Sequence, residues 1–230
     1  MHQRNRNLMS RENLLFENML TLEESSILQE MNTPYRIQQF LDSTLYVGGN
    51  ENRSPIEVLR QRKAHCLDGG LFAATLLQRI GYLPLILDMQ PDPGEDDDHV
   101  LALFQEFDCW GAVAKSNYVG LRYREPVYRT IRELVVSYFN DYFNVARKKS
   151  LRKYTEVINL SEFDEQHWMT EASGVDWVEE YLKKADTILL ITLEQAAYLS
   201  PLDERSYKAG SLGVNPDGVD RKSTRLNSSH

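Results

Sequence analysis

Two side chains with the makings of acyl chemistry stand thirty-three positions apart: Cys66 in Lys63-Ala-His-Cys66-Leu-Asp-Gly-Gly70, and His99 at the end of the acidic run Asp96-Asp97-Asp98. A thiol attacks only as its thiolate, and a free cysteine ionises near a pKa of about 8.5. The unpaired N–H groups and the dipole of a helix N-terminus stabilise that anion. An imidazole beside it does the same as an ion pair and can later return a proton to the leaving group. The chemistry therefore requires Cys66 in the first turn of a helix and His99 on a neighbouring element. Backbone N–H groups at the helix start, that of Cys66 among them, would stabilise the oxyanion. Gly69 and Gly70 leave room for another backbone or a substrate to approach that turn.

A third group would orient the ring. If a hairpin turn centres on Asp108, antiparallel pairing sets Asn117 opposite His99, with Cβ atoms about 5 Å apart. Asn117 would then accept the ring N–H, as in Cys-His-Asn sites. A slip of one residue turns Asn117 to the other face and brings Ser116 round. Against all this stand plainer readings. A free cysteine is often just a small buried hydrophobe, and a histidine after an acidic loop can be a strand edge.

Behind these residues the sequence predicts the elements that must hold them. Thr21-Leu-Glu-Glu24 and Ser54-Pro-Ile-Glu57 fit capping boxes, and Thr33-Pro34 gives a further helix start. The helix opening at Cys66 carries Leu67, Leu71, Phe72, Leu76, Leu77 and Ile80, with Gly81 at its C′ position. Leu83 to Met89 reads as a strand, 91–98 as a polar acidic loop and His99 to Phe107 as a second strand. Residues 108–111 read as a turn, and 112–117 return antiparallel. Pro126 is expected to open a long helix through Val127, Ile131, Leu134, Val135, Tyr138 and Phe139. Leu151 to Leu160 reads as a strand, Asp176 to Ala185 as a helix and 200–218 as loose. Helices, then a helix feeding strands, then helices make this an α+β chain.

Composition narrows the function classes. A formal net charge of -8 argues against general nucleic-acid binding, which needs a basic surface. No stretch approaches the roughly 18 apolar residues of a membrane span. Two cysteines, Cys66 and Cys109, and a polar start at Met1 to Ser10 point to a cytoplasmic protein with reduced thiols. No zinc-ligand spacing and no phosphate-binding glycine loop is present, so no metal and no cofactor is expected. Asp96 to Asp98 lack the alternating ligands of a calcium loop. His65 is expected in a structural or rim role, Asp68 in the first helical turn, and Arg122 and Arg124 in surface ion pairs. Asp220 to His230 (DRKSTRLNSSH) resembles the in-frame translation of a sequencing adapter and is left out of fold reasoning. The natural chain is then expected to break off near Val219.

Taken together, Cys-x-Asp-Gly-Gly at a helix start, an apolar strand after Gly81-Tyr-Leu-Pro84, and Asp98-His99 opening the next strand resemble the transglutaminase-like superfamily. That family is similar in fold to papain-type cysteine peptidases. Lys115-Ser-Asn117-Tyr and 120–126 (GLRYREP) resemble a bacterial branch of it. The motif-bearing part covers about 54–117. The resemblance implies Cys66 as nucleophile and His99 as base. It also implies N-terminal helices, with the nucleophile helix packed on an antiparallel sheet. The third position departs from the family: no Asp follows Trp110, and Asn117 stands nearest to that place. Asp68, Gly69, Gly70 and Ser116 would line the site. The expected substrate is a peptide, or an amide-bearing small molecule or protein, whose thioester passes to water or to an amine. The alternative is an inactive module that keeps the fold for binding or scaffolding. The expected organisation is an N-terminal segment to residue 20, a core over 21–160 and a helical extension over 161–219.

Overall fold

The computed structural model describes residues 10–49 and 51–218, so the adapter-like tail lies outside the described residues. Four capped helices come first: α1 (Arg11–Met19), α2 (Leu22–Glu30), α3 (Pro34–Asp42) and, after the two-residue strand β1 (Leu45–Tyr46), α4 (Pro55–Gln61). Thr21 and Ser54 head the capping boxes that the sequence announced, and Thr33 caps α3 ahead of Pro34. Strand β2 (Lys63–Ala64) pairs with β1 in parallel and delivers the chain to α5 (Cys66–Arg79). Gly81 follows α5 at φ +101°, the left-handed turn that ends it.

The main sheet is antiparallel throughout. It comprises β3 (Leu85–Pro91), β4 (His99–Glu106), β5 (Cys109–Val113), β6 (Arg124–Tyr128), β7 (Leu151–Thr155), β8 (Ile158–Asn159) and β9 (Thr187–Leu189). Its order is β6-β5-β4-β3-β7-β9, with β8 also on β3. Helices α6 (Ile131–Val136), α7 (Ala172–Leu182), α8 (Leu193–Ala197) and α9 (Glu204–Gly210) complete the described chain, which is α+β. No described helix is long and apolar enough to cross a membrane.

Helix α5 lies on one face of this sheet. Leu71, Phe72 and Leu76 pack there with Val100, Ala102 and Phe104 of β4, and the same cluster takes in Phe16 of α1, Val178 of α7 and Trp168 in the segment before α7. Buried Glu12 ties α1 in by accepting the Met169 N–H at 3.1 Å and contacting the His167 ring at 2.9 Å. The opposite face holds Leu101, Leu103, Met89 and Leu87 against Leu134, Tyr138 and Tyr142.

Two expectations need correction. Pro126 does not open a helix but lies within β6, an edge strand of the sheet where a missing N–H is tolerated. The helix starts at Ile131, capped by the Thr130 hydroxyl. The β4–β5 turn is Phe107-Asp108, both in the left-handed region at φ 54° and 58°, which is the two-residue hairpin geometry. It pairs Glu106 with Cys109 and Ala102 with Val113. That register is one residue off the one that sets Asn117 opposite His99. Continued past Val113, it would bring Ser116 there instead.

Candidate functional site

Cys66 is the first residue of a fourteen-residue helix, half-buried at its mouth. His65 caps that helix, and Asp68 at the third position reaches back to the His65 N–H at 3.2 Å. Asp68 also accepts the Arg53 N–H at 2.8 Å and is fully buried, which locks the loop before α4 onto the α5 start. Gly69 and Gly70 permit a close approach, but of the sheet: a Cβ at Gly69 would stand 2.1 Å from the Lys115 Cβ, and one at Gly70 2.7 Å from Val100 Cγ1. So the Asp-Gly-Gly of the motif seats α5 on its neighbours, and Asp68, Gly69 and Gly70 line neither cavity described below.

The Cys66 thiol donates to the Asp98 carbonyl oxygen at 3.4 Å, on the α5 side of β4. Side chains alternate along a strand. Val100, Ala102 and Phe104 point to α5, whereas Leu101 and Leu103 point to the other face. His99 belongs to the second set. It pairs across the ladder with Met89, its ring meets Tyr142 edge-on at 6.5 Å between centroids, and its Nε2 lies 2.7 Å from the Leu121 carbonyl oxygen. A carbonyl can only accept, so Nε2 carries the proton and Nδ1 is the acceptor. Among the described residues no hydrogen bond joins the ring to Cys66. The chain brings the sulfur next to the peptide that leads into His99, but puts the ring through to the far face.

Two cavities reflect this split. One of about 210 Å³ is lined by Cys66, His65, Asp88, Val100, Glu179 and Lys183 among others. The other, about 270 Å³, is lined by His99, Ser116, Asn117, Tyr118, Leu121 and Tyr142 among others. Tyr46, Asp97, Asp98 and Gly218 belong to both walls. Asn117 does not reach His99. Its side chain accepts the Asn215 N–H at 2.8 Å and donates to the Asn215 carbonyl at 3.0 Å. Ser116 is likewise engaged, its hydroxyl accepting the Tyr118 N–H at 3.0 Å.

The electrostatics do not favour a thiolate. Burial pushes the Cys66 thiol up to about 12, with the Asp88, Asp97 and Asp98 carboxylates adding to the rise and a hydrogen bond from the Val100 backbone offsetting part of it. Burial likewise pushes the His99 ring down to about 4, against a smaller upward pull from its bond to Leu121. Both groups are neutral near pH 7, the state opposite to a thiolate–imidazolium pair. His65 is also held neutral: burial, then the Arg53 charge, takes it down to about 4.

Two residues escaped the sequence reading. Asp88 is 2% exposed, and Tyr46 stands between the cavities. The signal for Asp88 was present: a lone carboxylate inside the apolar run Leu85-Ile-Leu-Asp88-Met89 is costly to bury without reason. Burial and the nearby Asp98 carboxylate raise its pKa strongly, against weaker opposition from Gln90, the His99 backbone and Lys153. Among the described residues no three His, Cys, Asp or Glu side chains converge to hold a metal ion. No family model matches the sequence, and no curated protein matches it.

Proposed function

We propose that this chain is a transglutaminase-like binding module, in which the cleft at the α5 mouth holds a ligand without acyl transfer. One observation carries the reading: β4 sends the His99 ring to the face away from Cys66, so the pair that thiol catalysis requires is not assembled. The carboxylates around the sulfur act in the same direction, because each disfavours the thiolate. Two cysteines without a disulfide suit the cytoplasm.

A second reading, cysteine acyl chemistry on a peptide or amide with Cys66 as nucleophile and His99 as base, draws on two features. Cys66 occupies a helix N-terminus and borders a cavity. The Leu121 carbonyl holds the His99 Nε2–H, which is the service an Asn or Asp performs in such sites, and leaves Nδ1 as acceptor. This reading requires the first residue of β4 to turn its ring to the α5 side.

Limiting iodoacetamide across pH separates the two, with the labelled site mapped by mass spectrometry and half-buried Cys109 as internal reference. The binding module predicts slow Cys66 alkylation with an apparent pKa above the free value of about 8.5. Selective alkylation of Cys66 with an apparent pKa well below that value, lost in His99→Ala, would overturn it in favour of the enzyme.

A further inference from the structure

The floor of the Cys66 cleft holds an unexplained oxygen. Asp88 lines the cavity and is 2% exposed, and while its Oδ2 accepts from the Gln90 amide at 2.8 Å, its Oδ1 has no hydrogen-bond partner. A buried carboxyl oxygen left unpaired costs free energy whichever way the group is protonated. The surroundings say what sort of group would complete it. Asp98 stands at the exposed rim of the same cavity, close enough for its charge to disfavour ionisation of Asp88. Glu179 adds a further acid to the lining.

The cations nearby do not answer this charge. Lys183 lines the cleft but is committed to Glu179 at 2.9 Å and Glu180 at 2.8 Å. Lys153 is felt by both Asp88 and Asp98, yet leaves Oδ1 unpartnered. His65 is held in its neutral form. Placing a positive donor between the two carboxyls would satisfy the orphan oxygen, offset the Asp98 charge felt by Asp88 and leave both ionised. The donors for a metal are not assembled among the described residues, whereas an ammonium needs only hydrogen-bond acceptors around it. A cavity of about 210 Å³ suits one alkylammonium arm rather than a large ligand.

We propose that the cleft binds a primary ammonium group, seated between the Asp88 carboxylate on its floor and the Asp98 carboxylate at its rim, with Cys66 as a side wall. This rests on the reading of the cleft as a binding site. The ammonium is the shared chemistry of a free alkylamine and of a lysine side chain on a peptide.

The test is a titration of the full chain followed by amide chemical shifts, with n-pentylamine, an Nα-acetyl-lysine methylamide and neutral 1-pentanol as probes. Saturable shifts around Asp88, Asp98 and Cys66 are expected with an amine and not with pentanol. A response to pentylamine alone identifies a free amine as the ligand, and a response to the lysine amide identifies a peptide. Asp88→Asn and Asp98→Asn should each weaken amine binding at least tenfold. The second variant, at an exposed position, keeps the test valid if the first disturbs folding. Equal response to pentanol, unchanged affinity in Asp98→Asn, or no saturable shift with either amine would overturn the ammonium site. Saturation by pentanol would do so while leaving a binding cleft. Fast, selective Cys66 alkylation would instead remove the binding-module reading and leave the ammonium result standing.

Discussion

On the α5 side of β4, at the strand's first turn, a neutral thiol, two carboxyls of raised pKa and a half-open cleft meet. On the other side of the same few residues, His99 is 4% exposed, bonded to the Leu121 carbonyl and packed against Tyr142. The first region keeps an unsatisfied buried carboxyl oxygen, whereas the His99 ring of the second has its Nε2–H bonded. Groups already satisfied by the protein serve the fold, and those left wanting are the ones with something to offer a ligand. Strand alternation decides which residues fall in which region, so motif residues adjacent in a resemblance can be divided by the thickness of a sheet.

The comparison is broken most drastically by forcing α5 off the sheet. Gly69→Ala places a Cβ against the Lys115 side chain, and overpacking of this kind costs about 3 kcal/mol. Urea unfolding should report the loss, accompanied by faster Cys66 alkylation as the helix mouth opens. A variant as stable as the wild type would mean that the close approach is not a constraint.

The closed side has its own signature, in acid. The unfolded ring titrates near 6.5 and the folded one near 4, so between those values the unfolded state binds the extra proton. The contribution is present above pH 6.5 and is lost as pH falls toward 4, on the order of 2 kcal/mol after discounting for relaxation. His99→Gln should flatten that part of the stability profile. An unchanged acid limb would place the ring in solvent rather than in its cavity.

Asp88 titrates in the opposite direction. Its folded pKa is raised above the unfolded value of 3.8, so its contribution is intact in acid and declines as pH rises. Asp88→Asn should therefore melt higher than the wild type at pH 9, by about 1 kcal/mol, with the gap closing toward pH 4. A constant gap across that range would mean that the carboxyl ionises freely, and would blur the contrast between the two sides.

How much of this was legible in the sequence depends on the kind of signal. Thr21, Ser54 and Gly81 act on their own neighbours, so the starts of α2 and α4 and the end of α5 could be placed from composition and spacing alone. Cys66 at a helix mouth was equally local. The face of His99 was not, because it depends on where Phe107 and Asp108 put the hairpin turn, and two non-glycine residues with positive φ give little warning. Pro126 looked like a helix start because its edge-strand role depends on pairing with β5, which no local pattern announces. The pairing of Asn117 with Asn215 spans 98 positions and could not be read from spacing at all.

That long-range clamp gives the smallest expected effect. Asn117 exchanges two hydrogen bonds with the Asn215 backbone, and the Asn215 side chain in turn donates to the Tyr46 carbonyl at 2.9 Å. The segment thus secured includes Gly218, which belongs to both cavities. Asn117→Ala forfeits partly exposed bonds and should cost about 1 kcal/mol in chemical unfolding. If Asn117 instead oriented the His99 ring, the same substitution would shift the histidine's titration, followed by its ring-proton resonances, while unfolding stability changed little. A clamp predicts the reverse: weaker stability, faster amide exchange at 215–218 and an imidazole that still titrates near 4, because Leu121 still holds Nε2.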